Sequence, residues 1–155
     1  MEHLNPSDFT IAIEQFEHLL HQYSDPAIAY PVPYEKRRPK RIEAYYPLKP
    51  HPIYGITALH AVETYNEQGY IKRYNYEWFI MYPRMGISSK HITSWGNDPH
   101  DDPDTPPELR VQTEPHHQHH IPFHRAARRD NYTVRNLQDA FVAIEPYLLQ
   151  GLPYT

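Results

Sequence analysis

Cysteine is absent from this 155-residue chain. That one absence excludes disulfides, thiolate zinc sites and cysteine nucleophiles. Glycine is scarce, at 5 residues, and the chain has no Gly-rich phosphate loop, nucleophile elbow or His-Glu-x-x-His helix. No apolar run approaches the ~20 residues of a membrane span. Met1-Glu2-His3-Leu4-Asn5-Pro6 lacks the basic and apolar regions of a secretory signal. A cytoplasmic protein without a membrane partner is therefore expected. The formal net charge of −4 argues against indiscriminate nucleic-acid binding by the whole surface.

What the chain does have is aromatic and histidine side chains. Fourteen tyrosines, 5 phenylalanines and 2 tryptophans supply apolar area, the tyrosines with a polar end. The length suits one domain, residues 1–155, with one core. Seventeen prolines mark extended connections. Charge is uneven. Lys36-Arg37-Arg38-Pro39-Lys40-Arg41 and Arg125, Arg128 and Arg129 are basic, while 98–108 holds five acids and no base. A solvated segment is the simplest reading of the basic run.

The pattern predicts an amphipathic helix over 6–23, with Asn5 as cap and Pro6 in the first turn. A proline-rich basic connection over 26–41 follows. Strands are predicted near 42–48, 53–65 and 70–82, the last two joined through Asn66-Glu67-Gln68-Gly69. A four-residue loop pairs Tyr65 with Tyr70, Glu63 with Lys72 and Ala61 with Tyr74. Leu59, Ala61, Tyr74, Tyr76, Trp78 and Ile80 then share a core face, and His60, Val62, Arg73, Asn75 and Glu77 a polar one. The Tyr74, Tyr76 and Trp78 stripe could also be read as a base-stacking platform, but alternation favours core. Pro83-Arg84-Met85-Gly86 reads as a turn. Further strands are expected at 90–96, 109–112 and 116–124 around an acidic loop, 97–108. A final helix capped by Thr133 ends or kinks at Pro146. The resulting fold class is α+β: an antiparallel sheet of about four to six strands, covered on one face by the N- and C-terminal helices.

Six of the twelve histidines lie between 100 and 124, most in Pro115-His116-His117-Gln118-His119-His120. Histidine titrates near neutrality and serves as acid, base or metal ligand. On a strand His117 and His119 share one face. With His100, or alternatively Asp98, as third ligand they could hold a metal. Individually, such histidines are most often satisfied by backbone or water, and His117→Ala is expected to cost little stability. Glu63 reads as an exposed partner of Lys72. Glu77, on the polar face near Asn75 and Arg73, is the better site carboxylate.

Several segments together resemble the TumE-like toxin family of bacterial toxin–antitoxin modules. They are Leu59-His60-Ala61-Val62-Glu63, Tyr74-Asn75-Tyr76, Trp95-Gly96-Asn97-Asp98-Pro99-His100, Pro115-His116-His117-Gln118-His119 and the helix from Thr133. The resemblance covers about 46–147. The family pattern in the third segment is Arg, an aromatic, Asp-Asn, a spacer and Pro-His. Here Ser94 replaces the Arg and Gly96 the Asp. The resemblance implies a small α+β toxin paired with a helix-turn-helix antitoxin protein. RNA cleavage by histidine acid/base chemistry is a chemistry that suits such a toxin. Candidate catalytic residues are His100, His117, His119, Arg73 and Glu77. Trp95, Asn97, His116 and Arg125 are candidates for substrate binding. No cofactor is implied. The alternatives are a metal site on His100, His117 and His119, and a non-enzymatic interaction protein.

Overall fold

A computed structural model of the chain describes residues 2–21, 33–82, 90–99, 106–107 and 110–155. Helix α1 spans Phe9–Gln15, followed by a 3-10 turn at Glu17–Leu19. Seven strands follow: β1 Tyr34–Arg38, β2 Arg41–Pro47, β3 Thr57–Tyr65, β4 Ile71–Ile80, β5 His91–Gly96, β6 His117–His119 and β7 Arg129–Asp130. Helix α2 spans Leu137–Gln150. The strands form a single antiparallel meander in chain order. Both helices pack on one face, where Phe16 of the α1 segment stacks on Phe141 of α2 at 5.0 Å between ring centroids. The expected α+β architecture is therefore observed, with seven strands among the described residues rather than four to six.

Several boundaries differ for identifiable reasons. Helix α1 starts late because Asp8, not Asn5, caps it by accepting from the Ile11 N–H. The residues before it are held extended instead: the Leu4 carbonyl accepts from the Ile71 N–H and Ser7 binds Glu63. The basic run is not a connection but a hairpin, β1–β2, turning at Pro39-Lys40. The rest of the 26–41 segment before Pro33, the turn at 83–86 and most of the acidic loop lie outside the described residues. The described part of 109–112 forms no strand, and 116–124 contributes only β6. Asn136 rather than Thr133 caps α2. Its side chain accepts from the Asp139 N–H, while the Asp139 carboxylate accepts from the Arg135 N–H. Pro146 neither ends nor breaks α2; the helix runs on to Gln150 and closes on Gly151 at φ 66. Pro146 is exposed, so the backbone bond it forfeits lies where water can substitute.

The β3–β4 register is displaced by two residues from the expected one. Ala61 faces Tyr76 and Glu63 faces Tyr74. Asn66 tightens the loop by accepting from Gln68 and Tyr70 N–H groups, and a bulge between Thr64 and Tyr65 completes the offset. A shift of two preserves the faces. Tyr74, Tyr76 and Trp78 are accordingly buried among Leu59, Ala61 and the α2 stripe of Leu137, Ala140, Phe141 and Ile144.

Glu63 is the main correction. It shares the core face with Leu59 and Ala61 and is fully buried. Its carboxylate accepts from the Ser7 N–H (3.0 Å), the Tyr65 hydroxyl (2.9 Å), the Tyr76 hydroxyl (2.5 Å) and the Ser7 hydroxyl. Ser7 Oγ in turn accepts from the Leu137 N–H at 2.9 Å. One buried carboxylate thus joins the N-terminal segment, the sheet and the start of α2. Burial is tolerated because each carboxylate oxygen has two donors.

Candidate functional site on the open sheet face

The sheet face opposite the helices carries the histidine pair. Cross-strand register places Asn75, Gly96 and His117 in one row, and Glu77, Ser94 and His119 in the next. The His117 and His119 rings meet edge-on with centroids 5.1 Å apart. Each Nδ1 donates to a backbone carbonyl, that of Pro115 for His117 (3.0 Å) and that of Arg125 for His119 (2.6 Å). Anchoring Nδ1 in this way makes Nε2 the nitrogen for proton chemistry. The Asp98 carboxylate lies 3.4 Å from His117 Nε2, so a doubly protonated His117 ring has an acceptor at each nitrogen. Burial, with a smaller contribution from the neighbouring cations, lowers the His119 pKa to about 4. His119 is therefore neutral at pH 7. His91, behind it at 6.0 Å between centroids, is lowered to about 4 chiefly by burial.

Arg125 reaches across β5 to bond Glu77 at 3.0 Å. A cavity of about 520 Å³ opens beside these groups, lined among others by Arg73, Asn75, Asp98, His119 and Arg125. Arg73, Glu77, His117 and His119 thus share one face, as their strand alternation implies, and Arg125 joins them from the turn after β6. His117 is 1% exposed rather than a surface side chain, so its removal leaves a cavity and is not the neutral change the sequence suggests.

Three candidates go elsewhere. Trp95 is buried on the helix-side face. His116 points to that side too, bonding the Tyr74 hydroxyl at 2.8 Å and Glu2 at 2.5 Å. Asn97 accepts from the Tyr74 N–H and donates to the Lys72 carbonyl, extending the β4–β5 pairing past Gly96. His100 lies outside the described residues. Among the described residues, no group of three His, Cys, Asp or Glu side chains is arranged to hold a metal ion.

Charged side chains stand beside both Ser94 and Gly96. Ser94 faces Glu77 and His119, and its buried hydroxyl has no hydrogen-bond partner among the described residues; the Arg125 guanidinium sits on that same Glu77. Gly96 has Asp98 above it: a Cβ there would stand 3.2 Å from Asp98 Oδ1. Sequence reading offered Asp98 only as a metal ligand and missed His91, because proximity across strands depends on a register that spacing alone does not set.

No family model, curated protein or solved structure matches this chain significantly. No described helix is long and apolar enough to cross a membrane.

Proposed function

We propose that this protein is the toxin-like component of a bacterial toxin–antitoxin module, acting in the cytoplasm on RNA and neutralised by a helix-turn-helix antitoxin. The observation that supports it best is the anchored His117–His119 pair flanked by Arg73, Arg125 and Asp98. Neutral His119 is the base: its Nε2 takes the proton from a ribose 2′-hydroxyl, whose oxygen attacks the adjacent phosphorus. The bond from phosphorus to the 5′-oxygen breaks. Protonated His117, whose Nε2 Asp98 holds until the bound substrate displaces that exposed carboxylate, returns a proton to that oxygen. The products are a 2′,3′-cyclic phosphate and a 5′-hydroxyl, with no net proton change. Arg125 and Arg73 offset charge on the phosphoryl oxygens.

Expression in a bacterial host tests the biological claim. Wild type should arrest growth, and a His117→Ala/His119→Ala variant should not. Equal growth under both removes the reason to assign toxicity to this pair. A small helix-turn-helix gene beside this one is the expected genomic neighbour.

A further inference from the structure

The open sheet face carries an aromatic surface that the histidine chemistry does not use. Register aligns Tyr34 of β1, Tyr45 of β2, His60 of β3, Glu77 of β4, Ser94 of β5 and His119 of β6 in one cross-strand row. Tyr34 and Tyr45 stack at 5.4 Å with an interplanar angle of 11°. Phe79 joins Tyr45 at 5.6 Å. Tyr34, Tyr45, His60, Phe79 and Lys90 border a hollow of about 250 Å³. Its sixth lining residue is Glu77, which also holds Arg125 at the histidine site. The hollow and the site are therefore neighbours along one row. Six strands at ~4.8 Å spacing make that row about 24 Å long.

These rings are poorly explained by core packing. Tyr34 is 41% exposed, and among the described residues no helix covers this face. The Tyr34 hydroxyl is tied to Glu43 at 2.8 Å, one face of the ring stacks on Tyr45, and the Lys36 ammonium lies 5.8 Å from its centroid, so the ring is held with a cation beside it. The carboxylates alongside are engaged, Glu43 by Tyr34 and Arg41 and Glu77 by Arg125. The next two rows of β1 present Lys36 and Arg38 on the same face. Lys36, Arg38 and Lys90 have no carboxylate partner among the described residues. Partly exposed aromatic rings beside cations without a carboxylate partner, on an antiparallel sheet, suit unpaired bases joined by phosphates. A duplex hides its base faces and has no comparable fit.

We infer that the Tyr34–Tyr45–Phe79 surface is a stacking platform for single-stranded RNA, which it leads across the sheet toward His119. The inference rests on the proposed RNA chemistry for its direction, and its test reads binding separately from cutting. The probe is a fluorescent 2′-O-methyl 12-mer, which cannot undergo 2′-hydroxyl attack, followed by anisotropy with the full chain. Wild type should bind it at least tenfold more tightly than a 12-base-pair duplex. Tyr34→Leu/Tyr45→Leu keeps apolar bulk but removes two π faces, and should weaken binding at least tenfold. Lys36→Gln/Arg38→Gln involves exposed side chains and should lower the slope of log K against log salt by about 1.4, at ~0.7 per phosphate contact. Circular dichroism and urea midpoints confirm that each variant is folded.

The platform is overturned if the folded Leu variant binds like wild type, if the duplex binds equally well, or if polyglutamate of matched charge does. Failure of the histidine chemistry gives a different result: tight, ring-dependent binding of the 12-mer with no cleavage of ordinary RNA. RNA cleavage that survives alongside ring-independent binding overturns the platform alone.

Discussion

Replacing Glu63 isolates one buried carboxylate and its four donors. Glu63→Ala strands the Tyr76 hydroxyl in the core and leaves the Ser7 N–H, the Ser7 hydroxyl and the Tyr65 hydroxyl without their acceptor. A buried donor without a partner costs about 1–3 kcal/mol. Tyr76 is fully buried and Ser7 and Tyr65 partly so, so water can rescue the latter two but not readily the first. The expected loss is about 3–5 kcal/mol, toward the upper end for a single substitution. Glu63→Gln keeps the shape and one accepting oxygen. Its NH₂ can sit where Oε2 was, provided the Ser7 and Tyr76 hydroxyls turn to accept, and the loss should fall to about 1–2 kcal/mol. Urea unfolding at pH 7 with linear extrapolation measures both. Amide exchange should additionally show residues 2–8 and the first turn of α2 opening in the Ala variant. An Ala variant within 0.5 kcal/mol of wild type, by the usual standard for surface changes, would refute the view that this carboxylate ties the three elements together.

Three further outcomes follow from the same geometry. Trp78→Ala, at a fully buried ring edge-on to Tyr54 and Tyr154, should cost about 3–5 kcal/mol; an unchanged urea midpoint would place the aromatic stripe on the wrong face. His91 and His119 resist protonation in the fold, so the unfolded chain binds more protons below its ordinary histidine pKa of 6.5. Stability should therefore be full above pH 6.5 and fall progressively toward pH 4, by on the order of 3 kcal/mol for His91 alone; urea midpoints that stay flat across that window would contradict it. Asp98→Ala should slow RNA cleavage by removing the carboxylate from His117, and adding Gly96→Asp, whose Cβ no longer meets Asp98 Oδ1 but still lies 3.3 Å from the Tyr74 carbonyl, should restore part of the rate. A double variant no faster than Asp98→Ala would break the proposed equivalence of the two positions.

Alternation along β3 and β4 was legible because a two-residue slip leaves every side chain on its face. The pairings were not, because Asn66 and the bulge at Thr64/Tyr65 act through loop geometry. Glu63 shows the cost of reading pairs before faces: its parity with Leu59 and Ala61 already placed it in the core. The β1–β2 hairpin was hidden by its charge. Tyr34, Lys36 and Arg38 face the side that no described helix covers while Glu35 and Arg37 lie on the α1 side, with Arg37 6.0 Å from the Phe9 ring, so no apolar alternation signals a strand. The His117–His119 pairing followed from period two alone. Their convergence with Arg125 and Asp98 required the β4–β5–β6 register.

The central claim is that the His117–His119 pair cuts RNA through the 2′-hydroxyl. The most direct measurement uses a DNA oligonucleotide containing a single ribonucleotide, incubated with purified protein and resolved by mass spectrometry. Wild type should cut only after the ribonucleotide and leave a 2′,3′-cyclic phosphate, with His119→Ala at least 10²-fold slower, as for loss of a general base. No cleavage by wild type, or an unchanged rate in His117→Ala/His119→Ala, would contradict the account.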